Sequence, residues 1–154
     1  LMALRLIILT LMISSIAHIK AFKSITTFRR MIGLFAFYYV SLHFSTYIFL
    51  DHFLDLQFII KDIIKRPFIT LGFISFLFLI PLAVTSTKSM VKKLGFNLWK
   101  KLHYLIYPAA ILSSMHFYML VRANKSEPAI YMGIIILLLL YRVFKKITPR
   151  PLAR

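Results

Sequence analysis

KKLHYLIYPAAILSSMHFYML, residues 100 to 120, is apolar almost throughout, yet it carries two histidines, His103 and His116. Hydropathy reads the stretch as a membrane span. An ionisable ring inside a bilayer is expensive and marks function by default. The two rings stand 13 positions apart, one near each end of the span, so the stretch poses a question about fold and chemistry together.

The rest of the chain answers the first half. Of 154 residues, 60% are hydrophobic, and four acidic residues face 20 Lys and Arg. Long apolar runs recur from end to end, the pattern of an all-α, polytopic transmembrane helix bundle rather than a soluble domain. Five stretches read as spans: Met2 to Ile19, Met31 to Leu50, Pro67 to Ser86, Leu102 to Val121 and Pro128 to Phe144. Each is about 17–20 residues, enough to cross a hydrocarbon core of ~30 Å at 1.5 Å per residue. Pro67 and Pro128 stand at helix starts, where a missing amide hydrogen costs least. Pro81 and Pro108 fall inside spans and are expected to kink them. Residues 1–146 form one transmembrane domain and 147–154 a basic cytoplasmic tail. The chain opens on Leu against an apolar run, so a preceding helix is expected, giving six spans in the full protein.

Net charge is +16, but the cations cluster between apolar runs, which favours membrane orientation over nucleic-acid binding. The first connection carries Lys20, Lys23, Arg29 and Arg30, and the second Lys61, Lys65 and Arg66. The third has Lys88, Lys92, Lys93, Lys100 and Lys101, the fourth Arg122 and Lys125. The tail adds Arg142, Lys145, Lys146, Arg150 and Arg154. The odd-numbered segments are therefore expected inside. Asp51, Asp55, Asp62 and Glu127, the only acids, all fall toward the other side.

Depth then follows from position. His43, about 12 residues into the second span, lies ~18 Å deep, and His116 lies ~19.5 Å beyond His103 on the fourth. His43 and His116 thus share a depth on two parallel helices, as two imidazoles do on opposite sides of a haem. Zinc wants three or four ligands together, and the chain has no cysteine to complete such a set. On a straight helix His103 and His116 point ~140° apart at ~100° per residue. A kink or local unwinding at Pro108 is expected to correct this. A single membrane histidine more often packs or snorkels, and the matched pair is what outweighs that reading.

The segments RRMIGLFAFYYVSLHFSTY (29–47), KDIIKRPFITLGF (61–73), LAVTST (82–87) and LWKKLHYLIYPAAILSSMHF (98–117) together resemble the MsrQ family, once called YedZ. These are the haem-binding membrane subunits of periplasmic methionine sulfoxide reductase systems, within the ferric-reductase-like transmembrane superfamily. The resemblance implies a multi-pass bacterial inner-membrane protein with a ferric-reductase-like haem-binding core and one haem b, with FMN as a further cofactor. It implies an electron-transfer subunit with no catalytic residues of its own. Its donor would be the quinone pool or a cytoplasmic flavin reductase, and its acceptor a periplasmic, molybdopterin-containing, MsrP-like partner. His43, His103 and His116 match the family's histidine positions and are the expected haem-iron ligands. The superfamily's second, inner haem needs a ligand about 14 residues before His43, where Arg29 stands beside Arg30. His18 is then the substitute at the right depth. Arg29 and Arg30 suit haem propionates or a flavin phosphate, and Tyr47, four residues after His43, is placed to line the same pocket. His52, in the second connection, is given no role.

Two other classes stay open at this point. A metal reductase of the same superfamily would share the bundle, and a small transporter would place acids or broken helices at mid-membrane. A structural subunit in which the histidines only pack is the third alternative. Singly scattered glycines leave no phosphate-cradling motif for a nicotinamide dinucleotide.

Overall fold

The computed structural model describes residues 1–16, 25–51 and 54–147. His18 and His52 lie outside the described residues. Among those described there are eight α-helices and no strand. They are α1 (Met2–Ile16), α2 (Thr26–Thr46), α3 (Leu56–Lys65), α4 (Pro67–Val84), α5 (Lys88–Leu94), α6 (Phe96–Leu102), α7 (Ile106–Leu120) and α8 (Ser126–Ile147). A π-helical turn, Tyr47–Asp51, extends α2, and a 3₁₀ turn, His103–Leu105, precedes α7.

The five apolar helices fall where hydrophobic runs place them: α1, α2, α4, α7 and α8. Residues 27–50, 67–84 and 126–145 are helices long and apolar enough to cross a membrane. Helices α1 and α7 have 15 residues each. Helix α1 packs on α2, α7 and α8, while α4 packs on α2 and α7. The result is a ring, α1–α2–α4–α7, with α8 laid over the seam between α1 and α7. Its interior holds Ile7, Leu11, Leu79, Ala109, Ala110 and Ile135. Large side chains such as Phe35, Tyr38, Phe49, Leu77 and Leu137 face outward, a surface that lipid, not water, accepts.

The two sides of α4 are built differently. Toward α7 it offers Gly72, against the His116 ring, and Ser75, against Ala109, which is fully buried. The Ser75 hydroxyl donates to the Ala109 carbonyl at 2.8 Å. Small residues let two backbones approach, and a serine then bonds across the contact, the usual way membrane helices associate. Toward α2 the filling is aromatic: Phe37 stacks on Phe76 with centroids 5.9 Å apart, and Phe44 meets Phe76 at 4.9 Å and Phe73 at 5.7 Å. One neighbour of α4 is therefore close and the other is held off.

The second and third connections are themselves helical. Residues 56–65 form amphipathic α3, started by Asp55, whose carboxylate accepts the Phe58 amide. Its inner face presents Ile59 and Asp62, while Leu56, Ile60 and Ile64 are exposed. Residues 88–102 form α5 and α6, capped by Thr87 and joined at Gly95, whose φ of 76° suits glycine. The chain irregularity near Pro108 lies just before it, not at it. Pro108 cannot donate to the Tyr104 carbonyl, and the preceding turn tightens to 3₁₀ over His103–Leu105. Three residues at ~120° instead of ~100° cut the offset between His103 and His116 from ~140° to about 80°. Helix α4 runs through Pro81 and ends at Val84, so this proline falls in its last turn.

The α4–α7 contact gives the first prediction. Ala109→Leu is expected to cost about 1–3 kcal/mol by overpacking, and Ala109→Gly less than half of that. Thermal unfolding of the purified protein in detergent checks the order of the two.

Candidate functional site

Two places concentrate chemistry, one toward each end of the bundle. At the end carrying the described acids, α2 delivers His43 and α7 delivers His116. Their ring centroids are 6.4 Å apart, with planes at 62°. The matched depth inferred from spacing is thus realised in contact. His116 is half-buried, and its Nδ1–H donates to the Phe68 carbonyl of α4 at 2.6 Å. A carbonyl only accepts, so Nδ1 carries the proton and Nε2 keeps its lone pair. Phe68 also stands beside the ring, 6.4 Å between centroids. His43 is exposed beside that ring.

A haem between two imidazoles needs their ring centres roughly 6 Å apart, allowing about 2 Å for each metal–nitrogen bond. The 6.4 Å separation fits. Apolar aromatic walls nearby, Phe44, Phe68 and Phe73, suit a macrocycle. Among the described residues no three His, Asp or Glu side chains converge, which leaves a two-histidine arrangement as the chemistry on offer.

Tyr47 does lie one turn beyond His43, but its hydroxyl is committed elsewhere: it donates to Asp62 Oδ2 at 3.1 Å. Asp62 also takes Arg66 Nε at 2.7 Å. The tyrosine therefore ties α2 to α3, where sequence spacing alone suggested a pocket wall.

His103 is not with the pair. It lies at the opposite, basic end, in the 3₁₀ turn, where its Nδ1–H donates to the Trp99 carbonyl at 3.0 Å and its ring stacks on Trp99 at 4.1 Å. The Trp99 indole in turn donates to the Thr85 carbonyl at the end of α4 at 3.0 Å. This histidine borders a cavity of about 880 Å³ inside the helix ring. Its walls include Arg29, Arg30, Trp99, Tyr104 and Tyr107, and no carboxylate. Arg29 and Arg30 line the same space as His103, and Arg29 reaches Ser14 on α1 at 3.4 Å.

Sequence reasoning missed Arg142, which it read as a topology anchor. From α8 this guanidinium reaches inward to the same cavity, donating to the Leu11 carbonyl at 2.6 Å, the Tyr107 hydroxyl at 2.9 Å and Ser15 at 3.1 Å. The run 133–141 is apolar, and Arg142 ends it on a helical face shared with Leu138 and Ile135; that periodicity was the available signal. Gly72 was missed as well, because nothing in its surroundings distinguishes it from any small residue in a span.

From the cavity to the pair the interval is filled by packed rings. Phe37 lines the cavity, stacks on Phe76, and Phe76 meets Phe44, the residue after His43. The bundle therefore holds an aromatic, cation-rimmed chamber at one end and an imidazole pair at the other.

The ferric reductase like transmembrane component family matches residues 1–114. A protein-methionine-sulfoxide reductase heme-binding subunit MsrQ from Xanthomonas campestris pv. campestris is 44% identical over 148 residues, covering 96% of this chain and 67% of the relative. The protein of the same name from Rhodospirillum rubrum is 51% identical over 122 residues, 79% of this chain and 59% of the relative. That from Herminiimonas arsenicoxydans is 45% identical over 139 residues, 88% and 63% respectively. The chain spans about two thirds of the length of these relatives. No solved structure matches it significantly. Apolar helices, an outward-facing hydrophobic surface and these relatives agree: the chain belongs to the MsrQ branch of the ferric-reductase-like transmembrane family and is a multi-pass protein of the bacterial inner membrane.

Proposed function

We propose that the chain is the haem-binding membrane subunit of a methionine sulfoxide reductase system and carries electrons across the bilayer. The observation that carries the reading is the pair itself, His43 and His116 at 6.4 Å with the Nε2 of His116 left free to ligate. When bound there, a b-type haem supplies one-electron storage at its iron. His43 and His116 would hold its iron, with the Phe68 carbonyl fixing the ring of His116 and Phe44 and Phe68 standing beside the pair.

The donor side is assigned to the basic cavity. Trp99, Tyr104 and Tyr107 suit the plane of a quinone ring or of FMN, and Arg29, Arg30 and Arg142 suit its carbonyl or phosphate oxygens. His103 donates its Nδ1–H to backbone, so its Nε2 faces any ligand as an acceptor. It contributes to donor binding, and a second haem on His103 and His18 is not part of this reading. Electrons from quinol, or from a cytoplasmic flavin reductase, enter there. They leave past the His43–His116 end toward a periplasmic, molybdopterin-containing, MsrP-like acceptor. No nucleophile or acid–base pair is needed, since the partner performs the chemistry on methionine sulfoxide.

A dithionite-reduced minus oxidised spectrum of the full-length protein tests the assignment. One low-spin b-type haem per chain is expected. His43→Ala or His116→Ala abolishes the low-spin band, whereas His103→Ala retains it. A wild-type protein without haem, or one in which both pair variants keep the band, overturns the reading; substrate flux through proteoliposomes would then favour a transporter.

Arg29→Ala and His103→Ala are expected to leave the dithionite-reduced spectrum intact while slowing reduction by a soluble quinol about tenfold or more, the equivalent of one lost charge-assisted hydrogen bond. Stopped-flow absorbance at the haem band measures this.

A further inference from the structure

We propose that the corner joining α3 to α4, from Asp62 to Gly72, is the positioning element of the histidine pair. It fixes the tautomer of His116 and the seating of the helix that carries His43. The inference deepens the haem reading, to which it assigns supporting residues, and its first test needs no haem.

Phe68 and Gly72 are one helical turn apart, so the Phe68 carbonyl points toward position 72 and serves its amide. A side chain at 72 would overlie that carbonyl. A Cβ built on Gly72 would lie 2.8 Å from His116 Nδ1, 3.0 Å from Cε1 and 3.2 Å from Cγ. The imidazole thus rests on bare α4 backbone, and only for that reason can its Nδ1–H reach the second lone pair of the Phe68 oxygen at 2.6 Å. Gly72 is needed for what it lacks; its backbone is ordinary helix. A histidine that ligates a metal commonly has its other nitrogen held by a carbonyl or carboxylate, which fixes the ring and raises its basicity.

The same corner holds the other helix. Asp62, on the buried face of α3, receives the Tyr47 hydroxyl on one oxygen and Arg66 on the other. Tyr47 is one turn past His43 on the same helical face, where α2 passes into its π-helical turn. Arg66 immediately precedes Pro67, the first residue of α4. Eleven residues of chain therefore touch the His116 ring directly and hold the helix of His43 through one tyrosine. A buried carboxylate is tolerated when both oxygens are paired, and removing one partner leaves it exposed to the full cost of desolvation. Asp62 is thus a rigid link between α2 and the start of α4.

The test uses full-length protein labelled with ¹⁵N-histidine, prepared first without haem. Two-bond ¹⁵N–¹H correlations are expected to show His116 as the Nδ1–H tautomer, assigned by loss of the signal in His116→Gln. Gly72→Ala should convert it to the other tautomer or to an exchanging mixture. In the haem-loaded protein Gly72→Ala is expected to weaken haem binding about 10–100-fold, the usual effect of losing a ligand's supporting hydrogen bond. Tyr47→Phe keeps the ring and its packing on Phe44, so it reports even where Gly72→Ala fails to fold. It is expected to shift the low-spin EPR signal, which depends on the angle between the two imidazole planes, without loss of haem. Wild-type His116 in mixed tautomers, or an unchanged EPR signal in Tyr47→Phe, overturns the proposal. A pure Nδ1–H tautomer in a wild-type protein that binds no haem supports the corner while refuting the haem reading.

Discussion

The hydrogen bond from His116 to the Phe68 carbonyl is where packing and chemistry meet. It exists only because α4 meets α7 through residues with little or no side chain, Gly72 against the ring itself and Ser75 against Ala109. Lipid tails are as apolar as leucine, so membrane helices gain little from burying hydrophobic surface against each other and depend on close contact and shared hydrogen bonds. On the other flank of α4, phenylalanines hold α2 away. The unequal spacing sets His43 across from His116 with their ring centroids 6.4 Å apart.

The ends of the bundle differ in how they treat charge. At the end of the pair, Asp62 is matched by Arg66 and Tyr47, and Glu127 lies 3.6 Å from Arg5. At the other end the chain has no acid at all, and the guanidiniums of Arg29 and Arg142 are held by hydroxyls and a carbonyl from α1 and α7. Neutral oxygens orient a cation without cancelling it. The cavity therefore keeps a positive rim aimed at whatever enters, while the opposite end is locally balanced.

Much of this was legible beforehand because a bilayer simplifies the code. Runs of apolar residues marked five helices, and helical rise alone put His43 and His116 at one depth. The prolines at 67 and 128 marked two helix starts. What stayed hidden depended on partners distant in sequence. Tyr47 has the spacing of a pocket residue, yet its hydroxyl finds Asp62, and nothing local to either residue announces the other. Arg142 sits among tail cations and differs from them only in facing inward. Amphipathic α3 was read as a loop because ten residues with three charges do not register as a span. The irregularity before α7 was anticipated from Pro108, but its form, a tightened turn rather than a bend, reflects how a chain without that amide closes its preceding turn.

The order in which the helices are made bears on how the pair assembles. His43 is synthesised 73 residues before His116, and α4, the helix that positions the second ring, emerges between them. Until α7 is made, α4 has no ring to position, since the face that carries Gly72 and Ser75 meets only α7's His116 and Ala109 there. The pair is therefore complete only once α7 has been made: a chain cut short before it has every residue of α2 in place and still lacks the second ring.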